Sequence, residues 1–391
     1  MSGAAGPAWS GALILRPGRG RAAVGDTRVP LAGALLRGRP ADEAMLMLPR
    51  LFALCGQAHR VTAGLAVATA MAGGGGAGHA DPAGLAPQRA ALAAETLREH
   101  VRRLLIDWPR LLGQPADGAA AALRTCPLFG AAAMAHNGGD GAAVREWIGR
   151  ELLGGPVAPW LAGWRADRAG WLGRWSGQAG ALPARLMRAV RDDAVSVGPA
   201  WPPLRAQAGE AGMRALAARM ADGAGLEYVA GDAGDAGAAC ETGCWTRLGG
   251  DGGGDGAPPD SAWLRMGARL AEVCRLAEYG PGAEQADGAA LASGALWLGD
   301  GEALAWTEMA RGVLCHRVRL ELDGARPTIG DYHVLAPTDW NFHPRGVVAD
   351  ALAAMPAGGG AAARTATARR VGVLAAAFDP CVNFEIEFAH A

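Results

Sequence analysis

The chain has 391 residues, half of them apolar, with 37 basic against 38 acidic side chains. That is ample apolar material for a sizeable core, in two or three domains or one large one. A charge balance near zero excludes a sequence-independent nucleic-acid binder, which needs clustered positive charge to displace counterions. Every basic residue is arginine, and the abundance of alanine and glycine makes helices easy to read but alanine positions uninformative.

In chain order, Met1 to Gly25 carries Gly and Pro throughout and one short apolar run, Ala12 to Leu15. It is neither a signal segment nor a spanning helix, and no later stretch offers about 18 uninterrupted apolar residues. The expectation is a soluble cytoplasmic protein with no membrane partner. Residues 42–71 read as helix, with Asp42 as N-cap and Pro49 as a kink or fresh start. Residues 88–107 form a second amphipathic pattern closed by Trp108-Pro109. Several shorter helices fill 140–225, with Trp147, Trp160, Trp164, Trp171 and Trp175 packing between them. Residues 231–259, rich in Gly and Asp, read as a mobile loop or linker, and Ser261 to Ala277 returns to helix.

From about residue 290 the pattern changes. Gly299-Asp300-Gly301 lies between apolar runs and signals a hairpin. Val318, Leu320 and Leu322 alternate with charged residues, as in a strand with one exposed face. Asp323-Gly324 turns it into a partner running to Ala336. Residues 347–355 read as helix, 356–363 as a flexible loop, and 371–378 as a buried strand or helix. The fold class is therefore α+β, a mostly helical body with a small antiparallel β element in the C-terminal part.

The chemistry-bearing residues lie in four segments. Arg50-Leu51-Phe52-Ala53-Leu54-Cys55-Gly56-Gln57-Ala58-His59 places Cys55 and His59 four apart, on one face of a helix. Alone, it is equally a buried thiol and a satisfied histidine. Phe378-Asp379-Pro380-Cys381-Val382-Asn383-Phe384 presents a Cys after a Pro. Between them stand Glu308-Met309-Ala310-Arg311-Gly312 and Ala336-Pro337-Thr338-Asp339-Trp340-Asn341-Phe342-His343-Pro344-Arg345. The seven cysteines read as thiols or metal ligands, an odd count being unsuited to a disulfide framework. Cys240 and Cys244 could bind a metal or form a reversible disulfide, but with no second pair nearby they read as structural. His100, His316 and His333 have no spacing partner and read as ordinary residues.

Taken in order, the four segments resemble the nickel–iron hydrogenase large subunit. That family opens on Gly-Arg-x-x-x-Asp/Glu-Ala, here Arg37-Gly38-Arg39-Pro40-Ala41-Asp42-Glu43-Ala44, followed by Arg-x-Cys-Gly-x-Cys-x-x-x-His. It continues with Glu-x-Pro-Arg-Gly and Pro-Thr/Ser-x-Trp-Asn, and closes on Asp-Pro-Cys-x-x-Cys-x-x-His. The resemblance covers roughly residues 26–70 and 302–391, and implies one large-subunit-like domain over 1–391 with the 231–259 loop inside it. The departures shape the expected function. Phe52 stands where the family has the first nickel-only Cys, and Phe384 where it has the second bridging Cys. Glu387 replaces the closing His, and Arg16-Pro17-Gly18-Arg19 stands about where the family's Glu-rich opening segment lies. Two thiolates cannot complete a four-thiolate nickel site, so no nickel is expected.

By the same resemblance, Cys55, His59 and Cys381 would ligate iron. Arg311 and Thr338 would donate to cyanide ligands of an iron-dicyano-carbonyl group, and Arg311 would lower the thiol pKa values. The pattern is similar to HupK-type hydrogenase expression/formation proteins. It implies a non-catalytic maturation scaffold that holds or transfers the iron group. Its partners would be a HypC/HupF-type chaperone and the hydrogenase large subunit. The alternative is a degenerate large subunit acting as a hydrogen sensor or an altered redox enzyme.

Overall fold

A computed structural model describes residues 11–72, 86–130, 140–205, 209–221, 239–248, 259–279 and 291–389. The chain opens on β1 (Leu13–Leu15) and β2 (Val24–Asp26), followed by α1 (Leu31–Leu36), α2 (Ala44–Leu51), α3 (Gly56–Met71) and α4 (Ala86–Arg102). The helical middle comprises α5 (Trp108–Leu111), α6 (Ala119–Thr125), α7 (Gly141–Ile148), α8 (Val157–Ala166), α9 (Arg168–Gln178), α10 (Leu182–Val195), α11 (Glu210–Ala221), α12 (Cys244–Leu248) and α13 (Ala262–Tyr279). Strands β3 (Ser293–Gly299), β4 (Glu302–Met309), β5 (Gly312–Glu321) and β6 (Thr328–Leu335) come next. They precede α14 (Pro337–Asn341), α15 (Val347–Ala353), α16 (Ala361–Phe378) and β7 (Phe384–Ile386). No helix among the described residues is long and apolar enough to cross a membrane.

Local sequence explains most of these elements. In α10, Pro183 occupies the first turn, where its missing N–H costs nothing, and Leu182, Leu186, Met187, Val190 and Ala194 form the buried stripe. Asp167 caps α9 by accepting from Gly170 N at 2.9 Å. Trp160 stacks on Trp164 and meets the ring edges of Trp171 and Trp175, closing the helical core as the sequence suggests. In α16, a Cβ on Gly372 would stand 2.1 Å from the Leu111 carbonyl oxygen, so the helix docks against α5 only through glycine.

Several sequence expectations are corrected. The 42–71 helix is broken: α2 contains Pro49 and stops at Phe52 (φ −114°, ψ 66°), and a 3₁₀ turn, Ala53–Cys55, precedes α3. Asp42 lies in an earlier 3₁₀ turn and does not cap the helix. Trp108-Pro109 does not end the second helix. Residues Arg103–Asp107 widen into a π turn, and α5 resumes with Pro109 at its start, where no N–H is required. Of the 231–259 loop, 231–238 and 249–258 lie outside the described residues. Residues 239–248 are not a loose linker: Ala239, Cys240, Glu241, Thr242, Cys244 and Trp245 are buried. Residues 361–378 form one helix, which settles the strand-or-helix choice at 371–378 and shortens the loop before it.

Two sheets organise the rest. The antiparallel meander β3-β4-β5-β6 is the C-terminal β element expected from the hairpin signals. Its β5 buries Val318 and Leu320 and exposes Arg319 and Glu321, as period-two alternation requires. One face packs on α1, α2 and α3 through Leu36, Leu48, Leu65, Ile329 and Tyr332. The second sheet, β2-β1-β7, has no counterpart in the sequence expectations. Here β1 runs antiparallel to β2 and parallel to β7, pairing Leu13 with Phe384 and Leu15 with Ile386. An Arg16–Glu387 ion pair at 2.9 Å closes its edge, joining two positions where the family motifs are lost.

Candidate functional site

The two outer segments meet at Arg311. Cys55 ends the 3₁₀ turn before α3 and is 8% exposed. Cys381 follows Asp379, which leaves α16 in the left-handed region (φ 51°), a conformation that short polar side chains tolerate. Arg311 forms the tight connection between β4 and β5 and is buried. Burial opposes its positive charge, but Glu99, and after it Cys55 and Cys381, outweigh that and hold the guanidinium protonated. Arg311 Nη2 donates to Glu99 Oε2 at 2.9 Å, and Nε lies 3.4 Å from Asp379 Oδ1.

Thr338 sits in the first turn of α14. Its hydroxyl donates to Cys381 Sγ at 3.1 Å and accepts from Cys381 N at 3.2 Å, fixing the thiol against the helix. Asp339 holds that turn by accepting from Ala336 N at 2.7 Å and from Arg28 Nη2 at 2.8 Å. Arg28 is thereby brought near Cys381 as a second cation.

His59 is placed differently from the simple shared-face expectation. It is buried in α3, its Nδ1 pairs with His316 Nε2 at 3.0 Å, and His316 Nδ1 meets the Tyr332 hydroxyl at 2.8 Å. Phe52 stacks on the His59 ring, centroids 4.2 Å apart. Burial pushes His59 down to about 3, so its ring is neutral. Phe384 lies in β7, packed against the helical core.

The expectation that Arg311 would leave Cys55 ionised is corrected. Arg311 does favour the thiolate, but burial outweighs it, and Cys381, Glu95 and Glu99 add to the upward push. Cys55 is a protonated thiol in the metal-free protein. Glu95 bears on it from the start of α3, where its carboxylate accepts from Gln57 N at 2.7 Å and Ala58 N at 3.1 Å.

Sequence reasoning set aside His100, His316 and Cys244, and all three have partners. Together with Glu272, His100 and Cys244 place potential ligand atoms within 4.8 Å of one another. The hydrogen bonds oppose a cation there. Arg269 Nη1 must donate to His100 Nδ1 (3.0 Å), so the proton sits on Nε2 and is given to Glu272 Oε2 at 2.7 Å. Glu272 is also clasped by Arg247, two contacts of 2.7 Å. A metal would have to displace a guanidinium and invert the tautomer. The cluster instead extends to Cys381: Arg269 also donates to Asp379 Oδ2 at 3.0 Å, and Arg103 pairs with the same carboxylate. Apart from Asp379, which directly precedes Pro380-Cys381, these residues are 100 or more positions from Cys381 in the chain, and no local motif could have flagged them.

The segment 240–244 clips the site together. Thr242 N donates to Asn341 Oδ1 (3.0 Å), Asn341 Nδ2 returns to Thr242 O (2.8 Å), and Thr242 Oγ1 accepts from Val313 N (3.0 Å). Gly312 (φ +133°) must be glycine here, since a Cβ would stand 2.5 Å from the Thr242 side chain. The Arg311 turn and the Thr338 helix are thus held by one buried strap.

No family model matches the chain. Over 394 aligned residues it is 40% identical to the hydrogenase expression/formation protein HoxV of Cupriavidus necator, covering 98% of this chain and 97% of that one. It is 31% identical to the hydrogenase expression/formation protein HupK of Bradyrhizobium diazoefficiens, covering 93% and 91%. Among solved structures, the Ni-Fe-Se hydrogenase of Desulfovibrio vulgaris Hildenborough superposes with a TM-score of 0.51 at 16% identity, over 92% of each chain. The fold is that of nickel–iron hydrogenase large subunits.

Proposed function

The chain belongs to the HoxV/HupK family of hydrogenase expression/formation proteins, and from that premise we propose that it is a maturation scaffold. It holds the iron-dicyano-carbonyl part of a nickel–iron centre during assembly and passes it on without turning over hydrogen. The observation that carries this reading is the pairing of Cys381 with the Thr338 hydroxyl at 3.1 Å, together with the buried Arg311, whose charge Cys55 and Cys381 both favour after Glu99. Two thiols, a hydroxyl donor and a guanidinium suit an anionic iron group: soft sulfur for the metal, N–H and O–H donors for cyanide nitrogen, and a cation against the thiolate charge. Arg311 Nη1 is buried and makes no hydrogen bond among the described residues, so a donor is left over for such a cargo.

Two thiols are also too few for nickel. Phe52 is stacked on His59 and Phe384 is built into β7, so neither position offers a sulfur. In this reading Arg311 and Thr338 orient the cargo, Cys55 and Cys381 ligate it, and His59 backs the Cys55 turn. A HypC/HupF-type chaperone would deliver or collect the group, and the hydrogenase large subunit would receive it. The test is an infrared spectrum of protein purified without oxygen from cells co-expressing the hydrogenase genes. Cyanide and carbonyl stretches should be present in the wild type and absent from both Cys55→Ser and Cys381→Ser. Wild-type protein carrying hydrogenase activity but no such bands would refute the scaffold role.

A further inference from the structure

The two edges of the β3-β4-β5-β6 sheet differ. The β6 edge is guarded: Gly38 N donates to Ile329 O at 2.7 Å, Ile329 N donates to Arg39 O at 2.8 Å, and Asp331, held by Arg37 and His333, adds charge farther along. At the opposite edge, β3 reads Ser293-Gly294-Ala295-Leu296-Trp297-Leu298-Gly299, with no charged residue and no proline, and every residue of it is partly exposed. Glu308 N donates to Ala292 O at 2.8 Å, so by antiparallel alternation Ala292, Gly294 and Leu296 turn their main-chain groups toward β4. Those of Ser293, Ala295 and Trp297 turn outward, and no main-chain hydrogen bond reaches them among the described residues. Helix α3 is centred over β4 and β5, set back from this rim. A bare apolar edge of this kind is a template for another strand.

We propose that β3 is an interface at which a second copy of this chain adds its own β3, antiparallel about a two-fold axis through Ala295, to form one continuous sheet. The strand is complementary to itself in that register. Ser293 lies across from the partner's Trp297, and Gly294 from the partner's Leu296, so a small residue meets a large one at each step beside the axis. Ala295 meets its own copy on the axis, and the strand brings no like charges together. The outward residues Ser293, Ala295 and Trp297 fall into hydrogen-bonded pairs, which use all their free N–H and C=O groups. On the other face the Trp306 ring lies across Gly294, where a Cβ would stand 2.3 Å from it. The partner's Leu296, arriving opposite Gly294, covers more of the half-buried surface formed by Leu296, Leu298 and Trp306. An unrelated strand would use the same main-chain groups without this small-to-large match. The proposal concerns the sheet edge alone and is independent of the iron reading.

The test uses the full chain and sedimentation velocity over a series of concentrations. The wild type should form a dimer that dissociates on dilution. Ala295→Pro removes the outward N–H nearest the axis in each copy, and should weaken the dimer roughly ten- to thirtyfold with circular dichroism unchanged. A cross-link reads the register without relying on that variant. Under mild oxidation Ala295→Cys should give a covalent dimer joined through position 295, as peptide mapping shows. Ala292→Cys, at a more exposed position but about 20 Å from its own copy in this register, should not. A wild type that stays monomeric up to about 100 μM overturns the proposal, as does cross-linking no better at 295 than at 292, or position 295 cross-linking only to another protein.

Discussion

If Cys55 is a ligand, its buried, protonated state makes thiophilic metal binding strongly dependent on pH. Burial raises the thiol above its ordinary value, so the unliganded form carries the proton throughout the neutral range. A metal takes the thiolate, so binding must release at least that proton, and affinity must rise with pH. One proton released gives about tenfold per pH unit. Between pH 6.5 and 8.5 the Cys55 proton alone therefore contributes about a hundredfold, or roughly 2.7 kcal/mol. The assay is an anaerobic cadmium titration, read by the sulfur-to-cadmium absorption and competed against a chelator of known pH dependence. Cys55→Ser should lose most of the affinity and the part of the slope that this one proton contributes. Wild-type affinity independent of pH would show that Cys55 either is not a ligand or is already ionised, against the burial argument.

Cys381 is the one partly exposed cysteine among the described residues, the other six being buried, so iodoacetamide should modify it first. Thr338→Val removes its O–H···S donor, a loss of about 1 kcal/mol of thiolate stabilisation, and should slow that alkylation roughly fivefold; mass spectrometry reads the rate, and an unchanged rate would reject the donor role. Stability should fall in alkali. Burial raises Cys126 to about 11 and Cys244 and Cys315 to about 12, with Cys55 and Cys274 also raised. The unfolded chain, with thiols near their ordinary value of 9.0, gives up these protons first. Stability present below that pH is then lost above it, by about 1.4 kcal/mol per pH unit for each thiol. Urea midpoints at pH 8 and pH 10 measure this, and equal midpoints would contradict it.

Legibility from sequence followed the length scale of each signal. The hairpin at Gly299-Asp300-Gly301 and the tryptophan-bearing helices declare themselves through neighbours a few residues apart. The motif segments were readable because their order along the chain resembles a known family, and a relative 40% identical over nearly the whole chain shares that kinship. What surrounds them was not readable. His59 meets His316 across 257 residues and Arg311 meets Glu99 across 212, and neither contact leaves a local pattern. The β1–β7 pairing joins two three-residue strands, too short for alternation to register. Composition misled at 239–248, where glycine and aspartate on either side conceal a buried segment that fastens Arg311 to Asn341.

The shortness of β7 bears on how firmly Cys381 is held. Cys381 is carried between the end of α16 and a strand of three residues paired on one side to β1. Releasing that strand breaks a handful of main-chain hydrogen bonds, the Thr338 contacts, an exposed ion pair and the packing of the half-buried Phe384 and Ile386 on the helical core. Such sub-global opening lies at the low end of a protein's free-energy range. Amide protons of residues 384–386 should accordingly exchange much faster than those of α13. If the two thiols hold the proposed iron group, Cys381 is then the latch that loosens first, carried on the most lightly held of the segments that meet at Arg311.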